Sequence, residues 1–159
     1  GSMRAVISAG SNMEDSRAHL ASVVDHFADS LVAASSLYAT APWGKTDQPD
    51  FLNQSMLIDA PLTPTQLLRE CQALEEAANR VRVERWGPRT LDVDIVDIAG
   101  YTSNDPELTV PHPRAHLRAF VLAPWLEIDP AATLGGERVA DLLARLDPAE
   151  RDGVRRLEG

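Results

Sequence analysis

The spacing of apolar positions changes along the chain, and each change marks an element. Residues 4–9 (RAVISA) are a short β-branched run ending at Gly10-Ser11-Asn12, which predicts a strand and then a turn. From about residue 14 to 28, Leu20, Val23, Val24 and Phe27 recur at helical spacing and predict an amphipathic helix. Residues 31–40 (LVAASSLYAT) and 51–60 (FLNQSMLIDA) read as a second and a third strand. Between them, residues 41–50 (APWGKTDQPD) form a loop of a length that often carries function. Thr63, Pro64 and Gln66 are a helix start signal: a cap, a first-turn proline and the partner that closes a capping box. Leu67, Cys71, Leu74 and Ala78 then form an apolar stripe beside the more polar stripe of Leu68, Gln72, Glu75 and Asn79, so one side packs while the next is left to face a ligand. Cys71 reads as a small core residue. Residues 91–98 (LDVDIVDI) alternate as a strand, residues 108–110 are a short extended piece, residues 116–126 read as a helix that Pro124 must bend or end, and 139–146 as a last helix.

The order β-α-β-β-α-β followed by helices predicts an α+β, ferredoxin-like fold, with an antiparallel sheet, two helices on one face and C-terminal helices added. The opposite face of the sheet is then free to bind something. The 159 residues fit a single domain over residues 3–159, with residues 1–2 reading as an expression scar. Hydrophobic residues at 44% and charged residues at 25% are ordinary for a soluble globular chain. The net charge of −9 argues against general nucleic-acid or anionic-membrane binding. One cysteine permits neither an intrachain disulfide nor a thiolate zinc cluster. No apolar run approaches the roughly 20 residues of a membrane span, and the expected location is the cytoplasm. No apolar stripe calls for a protein partner, so a monomer is expected. The segment after Pro130 carries no chemical signal and reads as packing.

The densest chemistry lies at residues 85–95 (RWGPRTLDVDI). Residues two apart in a strand share a face, so Asp92 and Asp94 project together while Leu91, Val93 and Ile95 point into the core. Side-by-side carboxylates repel unless a cation joins them, and hard oxygen donors suit Mg²⁺. By itself the pair is as readily a solvated polar face. Upstream, however, Arg80, Arg82, Arg85 and Arg89 stand against only Glu84 in a chain that is acidic overall. Arginine forks match phosphate oxygens, and arginines beside a carboxylate pair point to a polyphosphate with its magnesium. No P-loop or kinase Gly-rich loop is present. Trp43, Phe51, Asn53, Trp86 and Phe120 lie in or beside loops, although only 5% of residues are aromatic. Rings with an amide suit a flat, hydrogen-bonding heterocycle; Phe51 and Phe120, taken singly, read as core. His112 sits between two prolines and reads equally as a turn histidine. His19, His26 and His116 carry no signal beyond exposed helix positions.

Residues 85–95 resemble the signature of the 6-hydroxymethyl-7,8-dihydropterin pyrophosphokinase family of folate biosynthesis. In the family's order come Gly10-Ser11-Asn12, Thr40-Ala41-Pro42-Trp43-Gly44, Gln48-Pro49-Asp50-Phe51-Leu52-Asn53, Glu75 with Arg80-Val81-Arg82, Leu108-Thr109-Val110-Pro111-His112-Pro113 and Arg118-Ala119-Phe120. The resemblance implies that ATP gives its terminal pyrophosphate to the pterin's 6-hydroxymethyl oxygen, leaving AMP. It implies that Asp92 and Asp94 hold two Mg²⁺ ions and that Arg80 and Arg89 are the arginines most important for transfer. It also implies that Gln72, Glu75, Arg82, Trp86, Arg89, Ile95, Thr109, His112 and Arg118 meet ATP. The pterin is expected between Phe51 and Phe120, with Thr40, Pro42, Trp43, Asn53 and Asp92 around its edges. Loops near residues 44–48 and 80–86 are expected to close over substrates. Phe51 stands where some members have tyrosine, and Asn79, Glu107 and Pro113 also depart from well-known members. Two other readings share the same features: a non-catalytic nucleotide or pterin-binding module, and a nucleotidyltransferase releasing pyrophosphate. An RNA-binding variant of the fold fits poorly, because its sheet face would carry Asp92 and Asp94.

Overall fold

The structure is a computed structural model that describes residues 2–13, 15–41, 50–81 and 91–157, without the side chains of residues 80 and 81. The main sheet contains β1 (Met3–Ser11), β2 (Leu31–Ala34), β3 (Tyr38–Thr40), β4 (Phe51–Ala60), β5 (Leu91–Ile98) and β10 (Val154–Arg156). Its order is β10-β3-β4-β1-β5, with β2 also paired to β4, and every pairing is antiparallel. Helices α1 (Ser16–His26) and α2 (Pro64–Val81) connect the strands. Downstream come the hairpin β6 (Ser103–Asp105) with β7 (Leu108–Val110), helix α3 (Ala119–Ile128), the hairpin β8 (Thr133–Leu134) with β9 (Glu137–Arg138), and helices α4 (Val139–Ala144) and α5 (Pro148–Asp152).

Helix α2 starts as its sequence predicts. The Thr63 N–H donates to Gln66 Oε1 at 2.9 Å, and the Gln66 N–H donates to Thr63 Oγ1 at 3.1 Å. This reciprocal pair satisfies backbone donors that the first helical turn leaves without partners. Leu67, Cys71 and Ala78 are buried on the predicted stripe.

Alternation along the strands divides the interior in two. Ala5, Ile7 and Ala9 of β1, Met56 and Ile58 of β4, and Val93 and Ile95 of β5 join Leu20 and Val23 of α1 and Leu67 and Cys71 of α2 in one core. Val6, Leu57 and Val96 face the other way, into a second core with Val121, Leu122 and Trp125 of α3 and Val139 and Leu142 of α4. Helices α1 and α2 therefore share one sheet face, and the C-terminal helices α3 and α4 cover part of the opposite face, which was expected to be free. The reason is that Val6, Leu57 and Val96 are apolar on the face opposite Ala5, Ile7, Met56 and Ile58, and each set must be buried. Beyond Val6 that second face turns to small and polar residues, Ser8 and Gly10, and α3 no longer covers it.

Other boundaries also moved. The predicted strand at 31–40 is broken into β2 and β3. Between them, Ser35 binds the β4 backbone through its N–H and its Oγ, at 2.9 and 3.0 Å, and Gln54 Nε2 donates to the Ser35 carbonyl at 2.8 Å. Strand β1 runs through Gly10 to Ser11, where a turn was expected. Helix α3 passes through Pro124 to Ile128. The missing bond and ring clash cost about 3 kcal/mol, yet Val121, Leu122 and Trp125 are all buried, and each such side chain contributes about 1.5–3 kcal/mol. The last predicted helix ends at Ala144, and α5 and β10 follow, neither of which the apolar pattern signals.

Glu127, in the last turn of α3, secures the break between β2 and β3. Its carboxylate accepts the Ser36 N–H at 3.1 Å, the Ser36 hydroxyl at 3.0 Å and the Tyr38 hydroxyl at 2.7 Å, with Arg156 at 3.6 Å. Burial pushes the carboxyl upward, but the Tyr38 and Ser36 hydrogen bonds and the Arg156 charge together hold it below the ordinary carboxylate range. Tyr38 is pushed up to about 12, first by burial and then by its bond to Glu127. A carboxyl with a lowered folded-state pKa stabilises the protein above its unfolded value, and that contribution is lost as pH falls through the folded value. Glu127→Gln is expected to lose about 1–3 kcal/mol at neutral pH. The gap from wild type should narrow on acidification below the ordinary carboxylate range, as read by urea unfolding across pH. A gap independent of pH would contradict this account.

Candidate active site

The site begins with strand register. β1 lies between β4 and β5, so each of its residues has a neighbour on either side. Gly10 pairs with Asn53 and with Asp92; Ser8 pairs with Ser55 and with Asp94. These six residues form two rows of small and polar residues on the sheet face away from α1 and α2, with Ser55 fully buried and Asp92 exposed. Thr40 pairs with Phe51, and Tyr38 with Asn53, extending the surface toward β3. Above it lies a cavity of about 510 Å³, lined among others by Ser8, Gly10, Thr40, Asn53, Asp92 and Asp94 from the sheet. Phe51, Arg118 and Phe120 form part of its wall, and Ala149, Glu150, Gly153 and Val154 close it from the C-terminal segment.

Asn53 is buried, and its Nδ2 donates to Thr40 Oγ1 at 3.1 Å and to the Tyr38 carbonyl at 3.3 Å. Both bonds orient the amide along the cavity floor. A Cβ on Gly10 would lie 2.9 Å from Asn53 Oδ1. Glycine here leaves the floor open between an amide on one side and a carboxylate on the other. Gly10 lies within β1 and not in the turn its Gly-Ser-Asn context predicts; a glycine within a strand run is the signal for such a site, because it permits close backbone approach.

Asp92 is exposed and Asp94 half-buried. Burial pushes the Asp94 carboxyl above its ordinary range, while the charges of His112 and then Arg118 draw it down. Two carboxylates on one face, one of them partly desolvated, are stabilised in their ionised form by a cation at their oxygens. One or two carboxylates are also what Mg²⁺ commonly takes from a protein, with water and phosphate oxygens completing its shell. The residues present therefore fit magnesium. Burial lowers the His112 pKa, while Asp94 opposes that shift. The Arg114 N–H donates to His112 Nδ1 at 3.2 Å, so the neutral ring carries its proton on Nε2. The Arg118 guanidinium lies over the Phe120 ring, 5.5 Å from its centroid, within cation–π range.

The structure thus brings together Thr40, Phe51, Asn53, Asp92, Asp94, Arg118 and Phe120. Other candidates surround β5 outside this cavity. Glu75 Oε2 accepts the Val93 N–H at 2.8 Å and so caps the outer edge of β5. Burial pushes its carboxyl up; the Val93 bond lowers it, and Asp94 and Asp92 raise it, so the three acids share one field. Gln72 is exposed and accepts from Arg69, which also pairs with Glu107 at 2.7 Å. Ile95 is buried in the α1/α2 core. Thr109, on β7, donates to the Asp105 carbonyl at 3.0 Å. His112 lines a separate cavity of about 280 Å³ with Pro111, Pro113 and His116. Pro42, Trp43, Arg82, Trp86, Arg89 and the Arg80 side chain lie outside the described residues, as do the loops near 44–48 and 82–86.

One cavity thus holds two aromatic rings, a buried amide and a pair of carboxylates. The model of the 7,8-dihydro-6-hydroxymethylpterin-pyrophosphokinase family matches residues 6–130, and the chain belongs to that family. It is 48% identical to the 2-amino-4-hydroxy-6-hydroxymethyldihydropteridine pyrophosphokinase of Mycobacterium bovis, covering 96% of this chain and 88% of the relative. It is 45% identical to the protein of that name from Methylorubrum extorquens, over 98% of this chain and 99% of the relative. Among solved structures, a Plasmodium falciparum HPPK-DHPS triple mutant with pteroate aligns at a TM-score of 0.73 and 12% identity. That alignment covers 98% of this chain and 47% of the other, and it speaks to the fold alone.

Gly10→Ala tests the floor geometry. The added methyl group would lie 2.9 Å from Asn53 Oδ1, so the amide that bonds Thr40 and Tyr38 must shift to admit it. Pterin affinity is expected to fall about tenfold, since about 1.4 kcal/mol of lost bonding is a factor of ten. Circular dichroism should stay unchanged. Unaltered affinity in a fluorescence titration would show that the cavity floor does not meet the ring.

Proposed function

We propose that the chain transfers the terminal pyrophosphoryl group of ATP to the 6-hydroxymethyl oxygen of 6-hydroxymethyl-7,8-dihydropterin, giving AMP and the pterin diphosphate in folate biosynthesis. The observation that carries this reading is the shared cavity: in a chain of this family, Asp92 and Asp94 line the same pocket as Phe51, Asn53 and Phe120. In this reading the hydroxymethyl oxygen attacks the β-phosphorus. The new O–P bond forms as the bond between the β-phosphorus and the α,β-bridging oxygen breaks, its electron pair leaves with AMP, and the hydroxyl proton is released.

The pterin ring stacks between Phe51 and Phe120, where offset aromatic contacts are worth about 0.5–1.5 kcal/mol each beyond area burial. Asn53 supplies the amide that recognises the ring edge, with Thr40 and the backbone of residues 40–43 beside it. Asp92 hydrogen-bonds near the reacting hydroxymethyl group. Asp92 and Asp94 are the residues to hold Mg²⁺, two ions in this reading; when bound, magnesium supplies charge neutralisation at the phosphate oxygens. Arg80 and Arg89 act on the transferring group. Gln72, Glu75, Arg82, Trp86, Ile95, Thr109, His112 and Arg118 belong to the ATP side. The grouping of Gln72 and Glu75 on α2, Ile95 on β5 and Thr109 on β7 around β5 supports one nucleotide position there.

The strand order supports a ferredoxin-like description, counting β2 and β3 together as its second strand. A single domain over residues 3–159, acting as a cytoplasmic monomer on small-molecule substrates, completes the proposal. Among the described residues, no helix is long and apolar enough to cross a membrane.

The test is nucleotide analysis by chromatography with ATP, Mg²⁺ and the hydroxymethyl dihydropterin together. AMP is expected in step with a diphosphorylated pterin. ADP would indicate an ordinary kinase, pyrophosphate a nucleotidyltransferase, and unchanged ATP a binding module. Asp92→Ala and Asp94→Ala are expected to keep the fold and to lose at least about 10²–10³-fold in kcat, the scale of removing one preorganised electrostatic group. Unfolding of both variants would instead assign the pair a structural role.

A further inference from the structure

The C-terminal segment forms one wall of the cavity, through Ala149, Glu150, Gly153 and Val154. Burial does not hold it there: α5 has no buried residue, and β10 is half-buried only at Val154. Its attachments are polar, and they lead to the two ring-bearing elements. Glu150 Oε2 accepts the Ala119 N–H at 3.0 Å. Ala119 opens α3, whose next residue is Phe120, and the Arg118 side chain makes no capping bond of its own. Glu150 therefore supplies the missing cap from another element, as a carboxylate at the positive end of the helix. At the other end of the segment, Arg155 donates to Asp50 Oδ2 at 3.0 Å, and Asp50 immediately precedes Phe51. Val154 pairs with Thr40, which also pairs with Phe51, and the Leu157 N–H donates to the Leu37 carbonyl at 2.8 Å.

We infer that residues 148–156 set the spacing between Phe51 and Phe120 for the substrate ring, and that Glu150 is the positioning residue for the Phe120 side. One short stretch is tied to the residue beside each ring, to the Ala119 backbone on one side and to the Asp50 carboxylate on the other, so a change at either tie alters the slot without touching the chemistry at Asp92 and Asp94. This rests on the proposed pterin reading of the cavity and explains why an element with almost no buried surface lies against it.

The test uses the full chain. Glu150→Ala is expected to raise KM for the dihydropterin about tenfold, the loss of one charge-assisted hydrogen bond to a helix end. kcat should stay within about twofold, and KM for ATP should change less than that for the pterin. Glu150→Gln retains an oxygen acceptor for the Ala119 N–H and should recover most of the loss. Arg155→Ala should move pterin KM in the same direction from the Phe51 side. An unchanged pterin KM in Glu150→Ala, or equal losses for both substrates with no rescue by glutamine, would overturn the inference. Wild-type protein that forms no AMP would overturn the pterin reading itself, a result distinguishable from wild-type turnover with an unaffected Glu150→Ala.

Discussion

The antiparallel register of β1 between β4 and β5 sets the positions on which the site depends. With Gly10 opposite both Asn53 and Asp92, and Ser8 opposite both Ser55 and Asp94, an amide, two carboxylates and a bare backbone fall on one surface. Side chains alternate with a period of two, so a slip by one residue would send both carboxylates into the apolar core and bring Val93 and Ile95 into the cavity. Burial prevents that slip. Ile7, Met56 and Ile58 are fully enclosed on the α1/α2 side, and each would be exposed or misplaced in the alternative register. The core thus fixes the site.

The second face of the sheet is divided along its length. Val6, Leu57 and Val96 share a core with Leu122 and Trp125 of α3. Two residues further along β1 the face becomes small and polar, and α3 presents its first turn instead of its apolar flank. The cavity is the space between the end of α3's coverage and the C-terminal segment. Arg118 and Phe120 belong to the site because they occupy the start of that helix, and Glu127 at its other end anchors the broken strand that carries Thr40. One helix therefore supports both the wall and the floor.

Electrostatically the site joins groups that would repel if left alone. Asp92, Asp94 and Glu75 share one field, and burial raises both Asp94 and Glu75. His112 and Arg118 offset part of this at Asp94. In the proposed reading, a cation bound at Asp92 and Asp94 would offset the remaining repulsion and stabilise the folded state.

Much of this was legible in the chain. Period-two alternation placed Asp92 and Asp94 on one face and Phe51 with Asn53 on another strand's face, and the capping box at Thr63 and Gln66 located the start of α2 to the residue. These are local properties: a side chain's direction along a strand and a backbone donor's partner three residues away follow from the sequence within one or two turns. Tertiary structure decided the rest. Gly10 looked like a turn residue, and only the approach of Asn53 from β4 shows why a side chain is excluded there. The strand at 31–40 breaks because Ser35, Ser36 and Tyr38 find partners as far along the chain as Ser55 and Glu127. Pro124 stays helical because α3 is buried. Glu150 and Arg155 carry no signal in a charged, unpatterned tail, because their importance lies in what they reach, Ala119 and Asp50. Short-range periodicity is written in the order of residues, whereas a contact between distant residues exists only once the chain has paid the entropy of bringing them together.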